Sequence, residues 1–99
     1  MRGTVLGAVA AAILSFGLFV LTAAPTISWR NDGADGGELA VAAATLGVPH
    51  PPGYPTYVLA GWLALKFIPA DDVGRELVLF SNLAGAAAVG LVALAGAHL

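Results

Sequence analysis

Apolar and polar positions along the chain alternate in long blocks, not at the short period of a water-facing helix or strand. Residues 4–24 carry no formal charge and are rich in Ala, Val, Leu, Ile and Phe. At about 1.5 Å per residue such a run matches a hydrocarbon core of roughly 30 Å. It exceeds the roughly 7–15 apolar residues of a signal peptide, and Pro25 sits directly after the candidate cleavage site, so the run reads as an uncleaved transmembrane helix. Residues 77–97 form a second such run, interrupted only by polar Ser81 and Asn82, either of which could hydrogen-bond a neighbouring helix. Between them, residues 39–65 also lack formal charge, but Pro49, Pro51, Pro52 and Pro55 rule out one continuous helix. That stretch divides into a short amphipathic helix over 38–46, with Leu39, Ala42, Ala43 and Leu46 on one face, a proline-rich elbow, and a helix over 55–68. The last is read as a short second span, followed by a turn over 69–76 in which Asp71, Asp72 or Glu76 could cap the third span.

These elements predict an all-α membrane protein with about three transmembrane helices and a short amphipathic helix in the loop 25–54. Composition agrees. Hydrophobic residues are 59% and charged residues 10% of the 99, against roughly 45–50% and 25% in soluble domains. A globule this small needs a polar surface that ten charges do not supply. With three crossings and the N-terminus inside, Arg2, Lys66 and Arg75 are cytoplasmic and only Arg30 is outside, as the positive-inside rule favours. The loop 25–54 is then extracytoplasmic. A net charge of −2 excludes a nucleic-acid surface, and the absence of cysteine excludes disulfides and thiolate chemistry. Two histidines, His50 and His98, are too few for a histidine-rich metal cluster.

Four of the ten charges fall in Arg30-Asn31-Asp32-Gly33-Ala34-Asp35-Gly36-Gly37-Glu38. Asp35 and Glu38 have capping-box spacing, and Gly47 stands where a helix over 38–46 would close. Spacing by itself favours this structural role. The same pair can also serve as a general base with a partner that orients it or holds a divalent cation. His50-Pro51-Pro52-Gly53-Tyr54-Pro55 forms a stiff elbow, with Pro52-Gly53 suited to the centre of a type II turn. His50 is either a solvated member of that elbow or a group that binds phosphate or donates a proton near the acids. Arg30 could neutralise a lipid phosphate or anchor the interface beside Trp29. Asp32 is either a second acid or a turn residue.

Asp35-Gly36-Gly37-Glu38 followed by Leu46-Gly47-Val48-Pro49-His50-Pro51-Pro52-Gly53-Tyr54-Pro55 resembles the N-terminal signature of the bacterial family related to protein O-mannosyltransferases. That family belongs to the GT-C superfamily, as glycosyltransferase family 117. Ala24-Pro25-Thr26-Ile27 and Ser81-Asn82-Leu83 extend the resemblance over nearly the whole chain, and Gly36 departs from it where the family usually has Ser. The resemblance implies transfer of a sugar, mannose expected, from a polyprenyl-phosphate donor in a bacterial plasma membrane to a protein, lipid or glycan hydroxyl on the extracytoplasmic side. By motif Asp35 is the candidate catalytic base and Glu38 its acidic partner, with Asp32 an alternative base. His50 lies near the donor phosphate or within the elbow. No resident metal or organic cofactor is implied. GT-C enzymes have many more spans, so the chain is expected to be the N-terminal piece of a longer transferase and inactive alone. The competing class is a small non-catalytic membrane protein whose outer loop binds a partner.

Overall fold

The computed structural model describes residues 1–69 and 71–99, without the side chains of residues 31 and 32. Helix α1 is Arg2–Thr22, a 3-10 turn follows at Arg30–Gly33, and helices α2, α3 and α4 are Gly36–Thr45, Pro55–Ala64 and Val73–Gly96. No strand occurs among the described residues. Helix α1 ends where the backbone turns extended at Ala23, two residues before Pro25, a residue that cannot continue a helix. Helix α4 starts four residues before the expected 77. The backbone N–H of Arg75 donates to Asp72 Oδ1 at 2.8 Å and the N–H of Glu76 to the Asp72 carbonyl at 3.0 Å. Asp72 thus caps the helix and admits its whole first turn.

The chain forms two compact units, Met1–Ala23 with Ser81–Leu99, and Ala24–Phe80. In the first, α1 and the C-terminal part of α4 run antiparallel. A Cβ added at Gly85 would lie 3.3 Å from the Phe19 ring, and one at Gly90 3.0 Å from Ala12 Cβ, so rising numbers on one helix meet falling numbers on the other. Small residues at the contact let the backbones approach, as in membrane helix pairs. Ala8 and Ala86 are buried, while Leu6, Leu14, Leu18, Leu91 and Val92 are exposed. An apolar exterior on helices this long and hydrophobic suits lipid, where it carries no hydration penalty.

The second unit is built on small residues. Ala40 and Ala43 of α2 pack with Leu77 of α4 into a core flanked by Leu65 and Phe80. Helix α3 crosses α2 closely at Gly61, where an added Cβ would sit 3.1 Å from both Ala43 Cβ and Leu77 Cδ2. The buried face of α2 is therefore Ala40, Ala42 and Ala43, rotated from the expected one. Leu39 is partly buried and Leu46 exposed, because α2 faces another helix at near-backbone contact and only Ala fits there. Leu46, not Gly47, takes the left-handed conformation that closes α2, at φ 53°. The N–H of Gly47 then turns back to the Ala42 carbonyl at 2.9 Å.

The expected second span differs most. Instead of a helix over 55–68, α3 has ten residues, about 15 Å or half a hydrocarbon core. Among the described residues, two helices, α1 and α4, are long and apolar enough to cross a membrane. Asp72 at the start of α4 also accepts from Thr26 Oγ1 at 2.8 Å, and Arg75 Nη1 reaches the Ala24 carbonyl at 3.4 Å. The residues that leave α1 and those that enter α4 are therefore neighbours.

Candidate functional site

The start of α2 and the elbow before α3 converge on one cluster of side chains. Glu38 stands in the first turn of α2. Both its oxygens are engaged by one residue twelve positions on: the His50 N–H donates to Oε1 at 2.7 Å, and His50 Nδ1 lies 2.8 Å from Oε2. This double contact ties helix to elbow. The capping box predicted from spacing does not form. Asp35 occupies the N-cap position of α2 without a side-chain cap bond, and Glu38 turns to His50 instead of back to the helix start. A preceding left-handed residue, Ala34 at φ 39°, leads the chain into α2.

The elbow holds His50 from both sides. Pro49 is buried, and a turn closes as the Gly53 N–H donates to the His50 carbonyl at 2.9 Å. The central residues are Pro51 and Pro52, joined by a cis peptide, one position earlier than the expected Pro52-Gly53 centre. Gly53 takes φ 88° just after the turn, a conformation open to glycine at no steric penalty. Tyr54 packs its ring edge-on to the imidazole, centroids 5.5 Å apart. The sequence pattern places Tyr54 in the elbow without assigning it a contact with His50. Its place four residues after His50, on the far side of a turn, was the available signal.

Asp35 completes the cluster. Its Oδ2 lies 3.8 Å from His50 Nε2, so the imidazole stands between two carboxylates. The ring and backbone hydrogen bonds from His50 hold the Glu38 carboxyl below its ordinary 4.5. The Glu38 hydrogen bond in turn raises His50 above 6.5, against a smaller desolvation effect and with added attraction from Asp35. All three groups remain open to solvent, Asp35 most of all at 59% side-chain exposure. One ligand atom from each of Asp35, Glu38 and His50 lies within 4.8 Å of the others, so the three could share a divalent cation if the Glu38–His50 bond opened. Among the described residues Asp35 is the carboxylate of the cluster without a hydrogen bond, since Glu38 spends both oxygens on His50.

The structure thus brings together Asp35, Glu38 and His50. Arg30 opens the 3-10 turn, and no ion pair joins it to these acids among the described residues. The Asp32 side chain lies outside the described residues. A shallow hollow runs from Gly37 and Glu38 past Val41 and Thr45 to Val48. Beside it lies a second, apolar one between Val48, Pro52, Val58 and Leu59.

Residues 35–99 match the family described as protein O-mannosyl-transferase TMEM260 N-terminal domain. The match begins at Asp35 and takes in the whole cluster. The protein O-mannosyl-transferase TMEM260 of Mus musculus is 41% identical over 71 residues, covering 67% of this chain and 10% of the mouse protein. Its namesake in Dictyostelium discoideum is 34% identical over 73 residues, 72% of this chain and 8% of that protein. The chain therefore spans about a tenth of the length of the curated relatives it matches. No solved structure matches. With the family's N-terminal domain matched over residues 35–99, the chain belongs to the protein O-mannosyl-transferase TMEM260 N-terminal domain family.

Proposed function

We propose that this chain is the N-terminal membrane portion of a glycosyltransferase that moves a sugar, mannose by the names of its relatives, from a polyprenyl-phosphate donor to an acceptor hydroxyl. The acceptor class suggested by those names is a protein. The finer placement, in the GT-C superfamily as family 117 in a bacterial plasma membrane, rests on the sequence resemblance. Helices α1 and α4 cross the bilayer as an antiparallel pair. Residues 24–72 form the connection between the two spans, and the Thr26–Asp72 bond draws its two ends together. Two crossings alter the charge count, with Arg2 on one side and Arg30, Lys66 and Arg75 on the other. The extracytoplasmic side is therefore assigned from the resemblance and not from the positive-inside rule.

The observation that carries the reading is the free carboxylate of Asp35 beside a histidine whose other nitrogen is held by Glu38. The acceptor hydroxyl attacks the anomeric carbon, the bond from that carbon to the phosphate oxygen breaks, and the phosphate leaves with the electron pair. Asp35 takes the hydroxyl proton as the new bond forms. Glu38 holds His50 in orientation and favours its protonated form, which places a positive charge where the anionic phosphate collects. The test is transfer from a polyprenyl-phosphate sugar by the complete enzyme. Asp35→Asn should abolish turnover with membrane insertion intact, whereas Asp32→Asn should retain it. Normal turnover by the Asp35 variant would sink the assignment, and loss confined to the Asp32 variant would move the base.

A further inference from the structure

Tyr54 stands in a conformation that its residue type avoids. Its backbone is left-handed, at φ 45° and ψ 51°, which crowds Cβ against the following carbonyl and is routine only for glycine, asparagine and aspartate. For a bulky side chain such a φ is an outlier. Tyr54 also directly precedes Pro55, the first residue of α3, and a residue before proline ordinarily takes extended backbone. Asparagine or glycine would serve the entry to α3 at less steric penalty. What tyrosine adds is its ring, whose centroid lies 5.5 Å from that of the His50 imidazole at an interplanar angle of 71°, the edge-on arrangement that aromatic pairs favour. Backbone strain of this kind persists where the surroundings over-determine it, and it gathers at functional sites.

The imidazole has a use for that contact. Glu38 grips His50 at the backbone N–H and at Nδ1. Across the ring, Nε2 faces Asp35 Oδ2 at 3.8 Å, beyond hydrogen-bond range. A partly exposed ring held by a hydrogen bond at one nitrogen can still rock about that bond, carrying Nε2 toward or away from Asp35. A second ring packed nearly perpendicular to it opposes the rocking. We propose that Tyr54 is a positioning residue, whose ring, presented by the left-handed backbone before Pro55, keeps Nε2 of His50 in place beside Asp35. That role rests on the reading of Asp35 and His50 as groups of the transfer site, and it gives Tyr54 no contact with substrate. The departing phosphate gains negative charge as its bond to the sugar breaks, so a well-placed His50 counts more in the transition state than in the bound donor. Loss of the ring should therefore lower kcat more than it raises KM.

The test uses the complete enzyme with Tyr54→Phe and Tyr54→Asn. Phenylalanine keeps the ring; asparagine accepts the left-handed backbone and removes the ring. Three quantities are read: hydrogen exchange of the elbow amides, the rate at which diethyl pyrocarbonate modifies His50, located by mass spectrometry, and kcat and KM for transfer from a polyprenyl-phosphate sugar. In Tyr54→Asn the elbow amides should exchange within about threefold of native, since relief of backbone strain offsets the lost ring packing. In the same variant His50 should be modified roughly two- to tenfold faster and kcat should fall by a similar factor. Tyr54→Phe should restore both. Native His50 reactivity in Tyr54→Asn overturns the proposal, as does a native kcat or a loss confined to KM. Elbow amides that exchange faster than the threefold bound also overturn it, since Tyr54 would then be a member of the turn and nothing more. A Tyr54→Phe enzyme as slow as Tyr54→Asn does the same, because the hydroxyl and not the ring would be at work. His50 reactivity is read without turnover. An active Asp35→Asn enzyme would therefore refute the base assignment alone, and unaltered His50 reactivity in Tyr54→Asn would refute the positioning role alone.

Discussion

Gly61 is the position where a single added group tests the packing and the site together. Its missing Cβ would lie 3.1 Å from Ala43 Cβ on α2 and from Leu77 Cδ2 on α4, inside the roughly 3.5–4.0 Å of a relaxed carbon contact. The Leu77 methyl is the end of a flexible side chain and can swing aside. Ala43 Cβ is attached to the α2 backbone, so the helix itself must retreat by a few tenths of an ångström. Alanine at 61 also gains roughly 0.5–1 kcal/mol of helix preference over glycine, which offsets that shift and leaves Gly61→Ala near neutral. Gly61→Val places two more carbons in the same gap with less helical gain, and overpacking of this kind costs about 2 kcal/mol. That corresponds to roughly a thirtyfold change in an opening equilibrium. Hydrogen exchange followed by mass spectrometry on the complete chain should show α2 and α3 amides exchanging about thirtyfold faster in Gly61→Val and within about threefold of native in Gly61→Ala. Transfer should fall in the valine variant, because Glu38 rides on α2 while His50 leads into α3. Native exchange rates in Gly61→Val would show that the helices do not meet at this glycine.

Two further expectations follow from the cluster and from the spans. Glu38 is lowered from 4.5 and His50 raised from 6.5. The stability their bond adds is present above the ordinary Glu value and lost as pH falls through the lowered one. It is likewise present below the ordinary His value and lost as pH rises through the raised one. Exchange protection of the elbow amides should therefore peak between about 4.5 and 6.5, and Glu38→Gln should flatten the profile; an unchanged profile in that variant would dissociate the bond from the elbow. On the proposed two-span topology, single cysteines at Ala44 and Asp71 should react with an impermeant maleimide from the same side of sealed vesicles. Labelling from opposite sides would restore a third span.

Much of the architecture was written in local chemistry. Charge-free runs specify α1 and α4, since helix is the form that satisfies every backbone group of an uninterrupted apolar segment in lipid. Pro25 and Pro55 mark an end and a start through their fixed φ and missing N–H. The acidic motif and the His50 elbow were also legible, through residue identities at a set separation. Other features were not. The spacing of Asp35 and Glu38 fits a capping box, yet the Glu38 carboxylate finds a better partner in the backbone and ring of His50, brought close only when the elbow folds back. Nor did the charge-free stretch after Pro55 disclose that its helix stops at Ala64.

What the sequence by itself determined is which segments must leave water and which residue types are available for chemistry, because both follow from composition over neighbouring positions. Only the tertiary structure decided which residues pair across the segment between α1 and α4, which face of α2 meets α3, and which carboxylate of the cluster stays without a hydrogen bond. Each of those depends on contacts between residues far apart in the chain: Thr26 with Asp72, Gly61 with Ala43, and Glu38 with His50. A hydrogen bond or a 3.1 Å approach between such residues leaves no periodic trace along the chain, since it is set by the geometry of turns and not by the pattern of hydrophobic positions.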